Sequence, residues 1–175
     1  MRCFLLLLVI CGCQVQANTI YDELPSSFNS NEHYVFYSYG YIVEGEHIRP
    51  RHPKYGTYDF PAIKKALADP AYNLIAYHRK KGTAPFLFAK KLAADVDILL
   101  NAGVPESHIS LVGFSRGGAL SILAANELKR TNINLIILAG CASLIKKHPS
   151  VRAYGKVYSI FERSDQVGSC QFLTD

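Results

Sequence analysis

The chain has 175 residues, a formal net charge of +5, 49% hydrophobic residues and 19% charged residues. That length and balance suit one globular domain with a real apolar core and exclude a disordered chain. No repeat of 20–50 residues marks a solenoid, and the basic residues are scattered, with no Lys/Arg run interleaved with aromatics of the kind a nucleic-acid surface needs.

The N-terminus carries a three-part leader pattern. Met1-Arg2 is a short positive start, Cys3 to Ile10 is an apolar run, and Val15-Gln16-Ala17 supplies the small or medium residues of a cleavage site. The run is short for a membrane span. Residues 1–17 are therefore expected to be a signal peptide of an exported protein. Ile10-Cys11-Gly12-Cys13 also resembles a lipoprotein box, with a poor match at its second position; acylation at Cys13 would be the one route to a membrane. Cleavage after Ala17 removes Cys3, Cys11 and Cys13 and leaves Cys141 and Cys170, an even pair in an oxidising compartment.

Residues 18–33 are polar and turn-rich and read as an arm. The domain proper is expected over 34–175. Tyr34–Tyr39 is aromatic and β-branched, a strand pattern that Gly40 ends. A polar loop follows through Pro50 and Pro53. Asp59 caps a helix with Pro61 in its first turn and apolar positions at Ile63, Ala66 and Leu67, and Asp69-Pro70 stops it. Tyr72–Tyr77 is a second strand. Helical spacing of apolar residues over 85–102 ends at Gly103. Ile109–Phe114 is a third strand, 116–129 an Ala- and Leu-rich helix, Leu135–Ala139 an apolar strand expected to be buried on both faces, and Lys156–Phe161 the last strand. The segment 141–155 shows no clear helix. Strands alternating with helices predict right-handed crossovers, a mostly parallel sheet of about five strands and a three-layer α/β sandwich, with functional groups at the carboxyl ends of the strands.

One motif carries chemistry. Gly113-Phe114-Ser115-Arg116-Gly117 is G-x-S-x-G, placed directly after a strand and directly before a helix. A tight turn there lifts the serine oxygen above the sheet, where a base can reach it. The crowding demands small residues two before and two after the serine, and Gly118 relieves it further. The helix N-terminus beneath the serine favours developing negative charge. Ser115 is the candidate nucleophile. Asp165, just past the last strand, suits the acid that orients a histidine, with Glu162 as the nearby substitute. An oxyanion hole needs two backbone N–H groups: one from Arg116, the other from Gly40 or Tyr41.

On these residues the chain resembles the α/β-hydrolase superfamily, and in particular small bacterial hydrolase-like proteins. The resemblance lies in YSYGYIVEG, RPRHPKYGTYDFPAI, NAGVPESHISLVGFSRGGA, LILAGCA and YSIFERSDQVGSC, which together cover most of residues 34–172. It implies Ser115 as nucleophile, Asp165 as acid, and a sheet order second–first–third–fourth–fifth. Relatives often have His-Gly after the first strand, where this chain has Tyr39-Gly40. They also continue into a further helix, strand and histidine-bearing turn, so the chain is expected to be an α/β-hydrolase core lacking the last helix and strand and truncated before the catalytic histidine. An exposed sheet edge and marginal stability follow as expectations. Among the remaining histidines, His148 and His78 are the possible substitute bases; His47 and His52 read as surface residues.

The same sheet order also suits a flavin or phosphate binder, but YSYGYIVEG lacks the Ser/Thr and the immediate helix such a loop needs. The expected activity is hydrolysis of an ester or related acyl bond in a small molecule, with no cofactor and no metal; the alternative is a catalytically inactive hydrolase-like or binding protein. Two basic loops, Arg49/Arg51/His52/Lys54 and Arg79/Lys80/Lys81, read as solvated charge or, secondarily, as attraction for an anionic substrate. Cys141 and Cys170 follow neighbouring strands at one sheet edge and are expected to form a disulfide.

Overall fold

The computed structural model describes residues 20–141, 143–164 and 170–173. The leader over 1–17 and Asp165 lie outside them. The described chain forms β1 (Ile20–Tyr21), β2 (His33–Ser38), β3 (Arg51–His52), β4 (Gly56–Thr57), α1 (Phe60–Leu67), β5 (Tyr72–Ile75), α2 (Pro85–Asn101), β6 (Ile109–Phe114), α3 (Arg116–Leu128), β7 (Asn134–Leu138), α4 (Ser143–Lys146) and β8 (Lys156–Ile160). The main sheet has six strands in the order β1-β5-β2-β6-β7-β8, with every neighbouring pair parallel.

Five strands stand in the expected order. The sixth, β1, comes from the arm: Ile20 registers with Leu74 and Tyr21 with Ile75, and the Tyr21 carbonyl accepts the Ala76 N–H at 2.9 Å. Two residues of strand are too short to leave an alternation in the sequence. The segment after β7 holds one helical turn, α4, where none was expected. The polar loop after β2 folds into a small antiparallel hairpin, β3–β4.

Local chemistry accounts for the element ends. The Asp59 carboxylate accepts the Ala62 N–H at 3.0 Å and Pro61 sits in the first turn of α1. Pro85 opens α2, and Gly103 turns the chain after it at φ +89°.

Three layers result. Phe36, Ile75, Leu111, Leu135 and Ile137 point to one face and pack with α2 and α3 residues such as Leu92, Val96, Leu120 and Leu123. Tyr37, Tyr39, Leu74 and Ala76 point to the other face, under Phe60, Ile63 and Leu67 of α1. That second layer covers the β5–β2 half alone. On the β6–β8 half, Phe114, Tyr158 and Ile160 are 36%, 53% and 57% exposed. The expectation that β7 is buried on both faces is corrected accordingly. Leu135 and Ile137 are fully buried, whereas Ile136 and Leu138 are half-buried, because no described helix lies over their side.

Candidate active site at the carboxyl edge of the sheet

β6 ends at Phe114 and α3 begins at Arg116, leaving Ser115 alone in the turn. Ser115 has φ +52° and ψ −119°, a region that costs a non-glycine residue on the order of 1–3 kcal/mol. Packing enforces it. The Ser115 N–H donates to the Leu138 carbonyl at 2.8 Å, and Ser115 O accepts the Ala119 N–H at 3.3 Å. A Cβ on Gly113 would overlap the backbone of Gly117 and Gly118, and one on Gly117 would overlap the Ser38 and Tyr39 carbonyls. Gly118 meets Gly140, where a Cβ on either would lie 2.7–2.8 Å from the other's Cα. The small residues expected around the serine are thus required by contact between α3 and the ends of β2 and β7.

The loop after β2 lies beside the serine. A Cβ on Gly40 would be 3.7 Å from Ser115 Cβ and 3.4 Å from the Phe114 ring. Gly40 has an ordinary φ of −70° and precedes a 3-10 turn over Tyr41–Val43, so no phosphate-cradling helix follows β2. The Gly40 N–H faces the Tyr58 hydroxyl, which bonds the Tyr37 hydroxyl at 2.8 Å. Burial pushes the phenols of Tyr37 and Tyr58 up from their ordinary value, so both stay protonated. The N–H groups of Tyr41 and Arg116 have no acceptor among the described residues. Of the two loop positions considered, Tyr41 is therefore the freer donor.

A cavity of about 940 Å³ opens over this point, walled by Tyr41, Tyr55, Tyr58 and Phe114, with Ser115 on its lining. The Ser115 hydroxyl has no hydrogen-bond partner among the described residues. His47 and His52 line the same cavity. His52 Nδ1 accepts the Lys54 and Tyr55 N–H groups at 3.1 and 3.3 Å, which puts the neutral ring's proton on Nε2. The two expected substitute bases stand elsewhere. His78 bonds the Val43 carbonyl through Nε2 at 3.1 Å, stacks near Phe60 and lines a separate cavity. His148 packs edge-on to Phe86 at 4.9 Å. Sequence order could not separate these four histidines, since all follow strands at the same edge.

Glu162 is exposed and accepts the Ser164 N–H at 3.0 Å, a local turn contact. Cys141 and Cys170 are buried and lie at disulfide distance, Cα–Cα 5.4 Å. Arg79 is no loop charge: it is 3% exposed and paired with Glu44 at 3.2 Å. Desolvation holds its guanidinium below the ordinary value, against the opposing pull of Tyr39 and Glu44. Glu44, Arg79 and Tyr58 are the site neighbours that sequence reasoning missed, because nothing in their spacing marks them as partners. Among the described residues no group of three His, Cys, Asp or Glu side chains could hold a metal ion, and no helix is long and apolar enough to cross a membrane.

The fold and this site define an α/β protein with a serine at a strand-to-helix elbow. No protein-family model matches the chain, and no curated protein matches it. Among solved structures, the crystal structure of esterase PE8 is similar over 74% of this chain and 67% of that chain, at 17% identity and a TM-score of 0.43. That likeness is too distant to bear on the site, which stands on the geometry above.

Proposed function

We propose that the chain is a serine hydrolase of the α/β-hydrolase type, acting on an ester or related acyl bond of a small molecule. The backbone of Ser115 carries this reading: a non-glycine residue held at φ +52° between a parallel strand and a helix, beside a cavity. Strain of this kind persists where surrounding contacts over-determine it, and a turn of this shape suits a serine whose hydroxyl must stand clear of the sheet at a helix N-terminus. The Ser115 oxygen adds to the acyl carbon as its proton passes to a base in the cavity, which His47 and His52 line; the acyl–oxygen bond of the ester breaks, the alcohol leaves with that proton, and water then releases the acyl group as the acid. The N–H groups of Arg116 and of Tyr41, with Gly40 behind it, hold the oxyanion. Asp165 is the proposed acid; its position just past β8 matches the chain order Ser–Asp of this fold type. The aromatic walls favour an acyl or aryl group over a highly charged substrate. An exported chain is compatible with the buried Cys141–Cys170 pair, since disulfides persist in oxidising compartments.

Among the described residues the Ser115 hydroxyl has no hydrogen-bond partner, and this favours a second reading, a binding protein with an unactivated serine. One experiment separates the two. A fluorophosphonate probe should label the wild-type chain, and Ser115→Ala should abolish the labelling. Binding of an aryl ester without labelling or turnover would leave the binding-protein reading.

A further inference from the structure

Three segments distant in sequence meet at one buried carboxylate. Glu44 directly follows the 3-10 turn Tyr41–Val43, and its side chain is 1% exposed. Its Oε1 accepts Arg79 Nε at 3.2 Å and Arg116 Nε at 2.8 Å. Arg79 follows β5. Its Nη2 donates to the Tyr39 carbonyl, its backbone N–H donates to the Tyr39 hydroxyl, and its guanidinium stacks 4.0 Å from the centre of the Tyr39 ring. Arg116 directly follows Ser115, and its Nη2 donates to the Thr83 carbonyl at 2.7 Å. The loop carrying Gly40 and Tyr41 is therefore clamped at both ends: at Tyr39 by Arg79, and at Glu44 by Arg79 and Arg116.

Stability alone is a poor account of this arrangement. A buried ion pair recovers its desolvation cost only when its remaining polar atoms are satisfied. Here Glu44 Oε2 and Arg79 Nη1 are buried without a hydrogen-bond partner among the described residues, and each such group costs free energy. What the network does supply is a fixed distance between two backbone segments. It also sets two guanidinium groups against one carboxylate that lines the Ser115 cavity.

We infer that Glu44 is a positioning residue for the Ser115 site, holding the Gly40–Tyr41 loop in register with the Arg116 backbone through its shared bonds to Arg79 and Arg116. This rests on the serine hydrolase reading. The register is set before substrate arrives, so the donors need not reorganise during reaction.

The test compares the wild-type full chain with Glu44→Gln and Arg116→Gln. Fluorophosphonate inactivation is resolved into KI and kinact, and backbone amide exchange is followed over residues 40–46. Both variants should lose at least about tenfold in kinact, since small misplacements of reacting groups are costly, while KI stays within about twofold. Amide exchange over 40–46 should accelerate. Glu44→Gln leaves Arg79 buried without a counter-charge, so its folding is checked first by circular dichroism; Arg116→Gln decides the matter regardless, because the Arg116 side chain is 23% exposed and its loss keeps the Glu44–Arg79 pair. Unchanged kinact in folded Arg116→Gln overturns the inference, even if exchange accelerates, since the tie would then be structural alone. If the wild type takes no label, the serine hydrolase reading fails separately. Exchange then decides the coupling: faster exchange over 40–46 in Arg116→Gln supports the link between loop and elbow, and unchanged exchange overturns it.

Discussion

The two faces of the β6–β7–β8 half of the sheet are equally apolar in sequence and unequally covered in the fold. On the α3 side, Leu111, Leu135 and Ile137 are fully buried. On the opposite side, the cross-strand row Phe114–Leu138–Ile160 and the row Val112–Ile136–Tyr158 run in register, yet Phe114, Tyr158 and Ile160 are more than a third exposed. Parallel strands are ordinarily covered on both faces. The difference shows that apolar character reports which residues can be buried, while the distribution of helices decides which ones are. Among the described residues β8 also has one strand neighbour alone, so its outer edge is free of ladder bonds.

The largest test of this contrast lies where the covered face closes. Cys141, Cys170 and Leu173 belong to the core beneath α3, and the cysteines are separated by 29 residues. Constraining a loop of that length is worth about 3.5 kcal/mol by chain entropy. The double variant Cys141→Ser/Cys170→Ser should therefore lose about that much in denaturant unfolding. An unchanged midpoint would mean that the covered face does not depend on the tie.

A second test uses one strand pair. Leu135→Ala on the covered face should cost about 3 kcal/mol, whereas Ile160→Ala on the open face should stay within about 0.5 kcal/mol. Equal costs would show that something covers the open face in solution and would break the comparison.

The smallest expected effect sits at the amino edge of the sheet, far from Ser115. His33 and His108 stack with ring centroids 4.1 Å apart. Desolvation first, and then the charge of His108, hold the His33 imidazole below its ordinary value of 6.5. A lowered folded-state value means that the unfolded chain binds the proton more tightly. The contribution is complete above pH 6.5 and is lost as the pH falls from there through the lowered value. His33→Gln should flatten the fall in midpoint between pH 7 and pH 5 by a small amount. An identical slope in both proteins would remove the histidine pair from the account.

Much of this architecture was legible from residue patterns. Alternation and β-branched runs located five strands to within two residues at each end, and Asp59, Pro61 and Gly103 marked helix ends by local chemistry. The order of those five strands followed from the resemblance to α/β hydrolases. The glycines around Ser115 announced a crowded turn. Other features left no local trace. β1 is too short to show a period. The one-turn α4 has no cap to announce it. Arg79 read as loop charge because it runs straight into Lys80 and Lys81, while its own partner, Glu44, lies 35 residues away.

The sequence by itself determined the α/β class and the strand-turn-helix placement of Ser115, because each depends on short-range periodicity or on steric demand within a turn, and it pointed to Cys141 and Cys170 as neighbours, which lie at disulfide distance. Only the tertiary structure decided which histidines share the Ser115 cavity, which sheet face stays open, and that one carboxylate ties the loop after β2 to the turn after the serine. Those outcomes depend on distances between segments many residues apart, and the packing that sets such distances is a property of the whole chain.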